Sequence, residues 1–178
     1  MDRIKWSARR FDFSFPVEIY PEVLERLRGT PARVAELLEG IPAERRVRRP
    51  GHGWSPQEHA GHLGDVDEEL FLPRLDEYGA KVTTLRSADM TNRRTEEAQH
   101  NAKTVPELVR FVRRCREAVV HRLESLDPEL LGRVAFHPRL KLPMRLVDLM
   151  FFHAEHDDYH LASIAALRRD EAKGGPSR

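Results

Sequence analysis

Cysteine is nearly missing from this chain: Cys115 stands alone among 178 residues, so no intramolecular disulfide can form. Cys115 falls on an apolar stripe, which reads as a buried thiol rather than a nucleophile. No apolar run reaches the length of a membrane crossing. The charged residues Asp2, Arg3, Lys5, Arg9 and Arg10 are followed by no apolar segment, so no secretory signal is expected and the cytoplasm is the expected compartment. Neither sign of charge is in excess, the formal net charge being +1. A basic stripe interleaved with aromatics is also missing, so neither a nucleic acid nor a membrane is an expected partner. The one dense basic cluster, Arg45-Arg46-Val47-Arg48-Arg49, reads as a solvated loop.

What is there suits one globular domain. Hydrophobic residues make up 40% and charged residues 33%, enough of the first for a core and of the second for a solvated surface. The domain is expected over 1–178, with its core at about 30–168, an N-terminal arm at 1–20 and a disordered tail at 170–178. Between Phe11 and Ile19 apolar residues alternate around Pro16, which predicts an extended arm or a short edge strand. Pro21 opens a helical turn that Gly29 is expected to stop. Thr30-Pro31 then reads as an N-cap and first position of a helix running to Glu39. Ser55-Pro56-Gln57-Glu58 is a capping box that starts a second helix reaching about Tyr78, with a kink or break at Pro73. Its inner face holds His59, His62, Leu63, Val66, Leu70 and Leu75, and Gly61 and Gly64 beside His62 predict close approach by a neighbouring element. Residues 79–103 are polar and aperiodic, as in a functional loop or a segment with its own short helix. Thr104-Val105-Pro106-Glu107 is a second capping box and starts a third helix to about Leu126. A connector covers Arg133 to Pro143, and a fourth helix covers about 144–168. Four amphipathic helices with long connections predict an all-α, four-helix bundle.

The fourth helix carries the most informative stretch, His153-Ala154-Glu155-His156-Asp157-Asp158-Tyr159-His160. His153, His156 and His160 occupy positions of the stripe that otherwise holds Leu146, Leu149, Met150, Ile164 and Leu167. His156 and His160 are one turn apart and can reach one ion. A hydrogen-bonded core histidine is the plainer reading of each, and a third imidazole from another element tips the balance. His62 on the facing helix supplies it. Three imidazoles leave an open coordination position, the mark of a catalytic rather than a structural site, and suit zinc, nickel, iron or copper. Such an ion lowers the pKa of bound water toward about 7, or binds a thiolate. A zincin needs Glu where Asp157 stands, and a di-iron bundle needs two Glu-x-x-His pairs, so both are rejected. His59, Asp65 and His153 are candidates to orient the ligands from behind. Glu155, Asp157 and Asp158 are expected to face solvent or a neighbouring arginine. His52, His100, His121 and His137 show no partner in the sequence. Asn92, Arg93 and Arg94, in the long polar segment, are candidate substrate contacts.

Trp54-Ser55-Pro56-x-Glu58-x-x-x-His62-Leu63-x-Asp65, joined to Glu155-His156-x-x-x-His160-Leu161, resembles the DinB-like superfamily. Asp89-x-x-Asn92-x-x-Thr95 and Glu107-Leu108 resemble it in the same order, over about residues 30–168. The resemblance implies a four-helix bundle whose metal is held by His62, His156 and His160, often in a homodimer. Some members are similar to S-transferases or isomerases that use mycothiol, bacillithiol or another low-molecular-weight thiol, and others to metal-dependent hydrolases. The expected function is thus a metal-dependent transferase or hydrolase acting on a small-molecule substrate. The alternative is a non-catalytic bundle whose metal stabilises or senses. Asp157-Asp158-Tyr159 between the ligands departs from the commonest closing pattern.

Overall fold

The computed structural model describes residues 4–172, with side chains described through Arg169. The expected tail therefore lies mostly outside the described residues, and residues 170–172 are still helical. Four long helical elements form the bundle: Tyr20–Glu39, a second running from Pro56–Val66 into Leu72–Gly79, Val105–Glu124 and Leu146–Ala172. The first packs on the third and fourth, and the second also packs on the third and fourth. Helices one and two, and helices three and four, thus sit across the diagonals. Consecutive helices on a diagonal cannot be joined by tight turns, which is why the connectors at 40–55 and 125–145 are long. No helix among the described residues is long and apolar enough to cross a membrane.

The first helix does not restart at Thr30. It is continuous through Gly29 and Pro31. Pro31 has no N–H to give the carbonyl of Leu27, one turn back. Arg116 of the third helix donates to that carbonyl instead, at 3.0 Å, and the Thr30 hydroxyl donates to the Arg26 carbonyl at 3.2 Å. The core accordingly reaches back to Val23, beyond the expected boundary. Both capping boxes form as expected, Ser55 with Glu58 and Thr104 with Glu107. The break in the second helix falls before Pro73, as a π-helical turn over Asp67–Phe71. The extra residue in that turn shifts the helix phase, so Asp67 and Phe71 are buried where Val66 and Leu70 were expected.

The arm at residues 4–19 carries two short 3-10 turns and no strand. Trp6, Phe11 and Phe13 pack on the core, and Arg145 donates to the carbonyls of Phe13 and Phe15. The connector after the third helix is a two-stranded antiparallel hairpin, Val134–His137 with Leu142–Arg145. Phe136 also bonds backbone to backbone with Thr83 and Leu85, which ties the long polar segment to the hairpin.

Two apolar clusters fill the bundle. One includes Leu27, Phe71, Val119 and Met150, the other Val34, Leu63, Val112 and Leu161. Between them lies a polar layer to which each helix contributes a buried residue: Thr30, Asp67, Arg116 and Asp157. Arg116, 1% exposed, donates to Asp67 through Nε at 2.8 Å and Nη2 at 3.1 Å. Its Nη1 and Nη2 donate to both carboxylate oxygens of Asp157. Thr30 donates to Asp157 at 2.7 Å, and His153 Nε2 donates to Asp67 at 2.7 Å. Burial raises the pKa of the Asp157 carboxyl, yet Arg116, His153 and Thr30 together hold it down, at about 2. Asp157 thus meets an arginine, Arg116, the second of the two expected settings, and does so inside the core rather than at the surface. Asp158 and Glu155 do meet arginines as expected, Asp158 with Arg26 and Arg33 and Glu155 with Arg26.

Candidate metal centre

His62, His156 and His160 come together between the second and fourth helices. Their Nε2 atoms converge, His62 to His156 at 3.3 Å and His156 to His160 at 3.1 Å. Two nitrogens bound about 2.0–2.1 Å from one ion stand about 2.9 Å apart at a right angle and about 3.4 Å apart at the tetrahedral angle. The observed spacings lie inside that window, and all three ligand atoms lie within 4.8 Å of one another. The three residues fit a divalent ion.

The groups behind the imidazoles set which nitrogen carries the proton. His100 Nδ1 accepts from Lys103, so its Nε2–H donates to Asp65 at 2.8 Å. The single hydroxyl proton of Thr95 also goes to Asp65, at 2.8 Å. Thr95 Oγ1 must then accept from His62 Nδ1, 2.9 Å away. His62 Nε2 is left bare and faces the other two ligands. Burial opposes ionisation of Asp65, but His100 and Thr95 outweigh it and hold the carboxyl below its ordinary range. On the other side, His59 Nδ1 lies 2.9 Å from His160 Nδ1 and can fix that ring in the same sense. His156 Nδ1 is enclosed and, among the described residues, has no hydrogen-bond partner; its ring meets Trp6 edge-on at 5.2 Å. Trp54 lies against His62 with ring centroids 4.6 Å apart, and its indole N–H donates to Glu96. Burial, and then the neighbouring imidazoles, keep His62 well below 6.5 and His156 down at about 3. Both stay neutral at physiological pH, as metal ligands must.

Of the residues expected behind the ligands, Asp65 acts through Thr95 on His62, and His59 contacts His160. His153 instead belongs to the mid-bundle polar layer, bonded to Asp67 and stacked on Phe71 at 3.9 Å. His100 and His137 are buried and bonded, His100 to Asp65 and His137 to the Leu140 N–H, contrary to the sequence reading. Thr95 and His100 lie in the long polar segment, 30 to 35 positions from their partners, and periodicity gives no sign of them. Gly61 does: a Cβ there would stand 2.2 Å from the His100 ring, so the expected close approach is His100 itself. The triad opens on a cavity of about 1080 Å3. Asn92 and Arg94 line it, Arg94 with its guanidinium paired to Asp65, Glu68 and Glu69. Arg93 is exposed and does not line the cavity.

Thr95→Val keeps the shape of the side chain and removes the acceptor for His62 Nδ1–H. Metal affinity is expected to fall about ten- to a hundredfold while the fold is retained. Competition with a chromophoric chelator measures it, and an unchanged affinity would show that Asp65 and Thr95 do not orient the ligand.

A family model described as the DinB superfamily matches residues 26–164. Among solved structures, the chain is similar to YfiT from Bacillus subtilis, described as a probable metal-dependent hydrolase with an unusual four-helix bundle topology. The TM-score is 0.73 at 16% identity, over 92% of this chain and 94% of that one, a likeness of fold. No curated protein matches the sequence.

Proposed function

The chain belongs to the DinB superfamily, and we propose that it is a metal-dependent enzyme that delivers a nucleophile to a small electrophilic molecule. One observation carries this reading: three convergent imidazoles open on a large cavity, and among the described residues no fourth protein ligand closes the set. A site that only stabilises the fold is closed by four protein ligands. A divalent ion held by His62, His156 and His160 supplies a Lewis acid that acidifies a bound water or thiol. The rest is the work of the chain. Thr95 and Asp65 orient His62, His59 orients His160, and Trp6, Trp54 and Phe152 supply apolar wall.

The volume favours a thiol cosubstrate. About 1080 Å3 slightly exceeds the roughly 300–1,000 Å3 of a pocket for one ligand, and leaves room for a low-molecular-weight thiol beside an acceptor. Cys115 cannot be that thiol: it is buried, and burial, followed by Glu68, pushes it up to about 12. S-transfer is therefore the first reading. Hydrolysis is the second, favoured by the description given to the similar Bacillus protein.

Protein purified without chelator is expected to carry one divalent ion per chain by elemental mass spectrometry. The cobalt-loaded protein, titrated with glutathione, cysteine and other small thiols, is expected to show a saturable thiolate-to-metal band. No bound metal under any loading would end the enzyme reading. Full metal with no thiol band, together with ester or amide cleavage, would move the assignment to hydrolase.

A further inference from the structure

The cavity has a second pole, away from the three imidazoles. Arg74, on the second helix, is 2% exposed yet has no carboxylate within salt-bridge distance among the described residues. Its Nε and Nη2 donate to the Arg86 carbonyl at 3.3 and 2.7 Å, and its Nη1 faces His137 Nε2 at 3.1 Å. Glu77, the acid whose charge it feels, gives its two oxygens to Arg86 at 2.9 and 2.7 Å. A buried cation without its own anion is costly, and burial brings this guanidinium down to about 10.

His137, 1% exposed, sharpens the point. Its Nδ1 takes the backbone N–H of Leu140 at 3.1 Å. A neutral imidazole has one acceptor nitrogen, so Nε2 carries the hydrogen and meets Arg74 Nη1–H donor to donor. Burial, and then the charges of Arg74 and Arg139, hold the ring at about 4, so it is neutral near pH 7. Arg139 also lines the cavity, its guanidinium 5.6 Å over the Trp6 ring, and Trp6 in turn meets the His156 ring at 5.2 Å, which sets Arg139 between the two poles. The acids on the wall are occupied: Asp65, Glu68 and Glu69 by Arg94, and Asp89 by Thr91 and the Arg93 N–H.

We propose that this pole binds the carboxylate of a small organic acid, with Arg74 Nη1 and His137 Nε2 donating to it and Arg139 adding charge at the rim. One free guanidinium arm, one imidazole N–H and one further cation suit a monoanion; a phosphate dianion calls for more donors. The span fits a body of a few carbons. His137 packs on Phe152 at 5.4 Å, and Phe152 lies one turn before His156, roughly 6 Å along the helix axis. Phe152 and Trp6, 5.0 Å apart, form the apolar wall between the poles. Only the last step, that the far end of the acid meets the metal, rests on the function proposed above.

The test uses the full chain stripped of metal, so that the triad cannot hold the acid. Phenylacetate is titrated by calorimetry against its uncharged amide, phenylacetamide, and against phenyl phosphate. Saturable binding of phenylacetate is expected, at least tenfold tighter than that of the amide or the phosphate. Arg74→Gln and Arg139→Gln each weaken it at least tenfold, and His121→Ala, on the exposed side of the third helix, leaves it unchanged. Arg139 is only half-buried, so its variant keeps the test open should Arg74→Gln not fold, which circular dichroism reports. Equal binding of the amide, equal binding by a folded Arg74→Gln or Arg139→Gln, or no binding of phenylacetate overturns the site. Tighter binding of phenyl phosphate overturns the carboxylate assignment. Metal content is measured separately on the untreated protein, so a failed carboxylate site and a failed metal site give different results.

Discussion

Arg116→Ala is expected to cost about 3–5 kcal/mol of stability, enough to leave much of the protein unfolded at 37 °C. Among the described residues, Arg116 is the one arginine or lysine paired with the two fully buried carboxylates, Asp67 and Asp157. Truncating it strands both negative charges in the core, where Asp67 is 0% and Asp157 1% exposed. It also removes the donor that replaces the missing Pro31 N–H at the Leu27 carbonyl. Lysine keeps the charge but cannot bond two carboxylates and a carbonyl at once from one planar group, so Arg116→Lys is expected to recover only part of the loss. Urea denaturation measures each variant. A shift below about 1 kcal/mol for Arg116→Ala would show that the layer contributes little. Replacing Arg116, Asp67 and Asp157 together by apolar residues of similar volume is expected to be far milder than Arg116→Ala, because no charge is then left unpaired. The same carboxylate sets an acid limit. Asp157 is held at about 2 in the folded protein against roughly 3.9 unfolded, so its contribution is present above about pH 4 and is lost as pH falls toward 2.

Alanine at His62, His156 or His160 is expected to weaken metal binding by orders of magnitude. His59→Ala should cost about ten- to a hundredfold, because it removes the partner of His160 Nδ1. His121→Ala and His137→Ala should leave metal content at the parent level. His153→Ala should act on stability more than on metal, since its partner is Asp67. The pH dependence follows from the ligands. Free histidine protonates near about 6.5, but His62 and His156 are held below that, so protonation of these two releases the ion only at lower pH. Metal per chain, measured on each variant and across pH 4–8, tests this. Full occupancy in His62→Ala would mean that the ion sits elsewhere.

The sequence shows the bundle because its helices announce themselves locally. Ser55 with Glu58, Thr104 with Glu107 and the apolar stripes that follow are short-range signals, and each forms. The spacing of His156 and His160 is local too. Misreadings occur where a distant residue does what a neighbour normally does. Gly29 and Pro31 look like a stop and a start, and only Arg116, 85 positions on, lets the helix run through them. Arg116, Asp67, Asp157 and Thr30 each interrupt an apolar stripe, with Leu, Val, Ala or Phe three or four residues to either side. One such interruption is commonplace. The informative signal is that every helix has one at matching depth, which becomes visible only when the helices are aligned. His100 is invisible for the same reason, since its partner Asp65 is 35 positions away, and so is the setting of His137, which faces an arginine 63 positions away.

The layer of Thr30, Asp67, Arg116 and Asp157 also acts as a detent. Aliphatic layers accept neighbours of similar size and would let one helix slide a turn past another at modest cost. This layer does not, because a one-turn slip of the third helix replaces Arg116 with Val112 or Val119 and leaves two acids facing hydrocarbon. Asp157 lies between the two imidazoles of the closing helix, so whatever indexes Asp157 also indexes His156 and His160 against His62. The converging nitrogens therefore keep their alignment through substitutions in either apolar cluster, and drift in the core is decoupled from drift at the site.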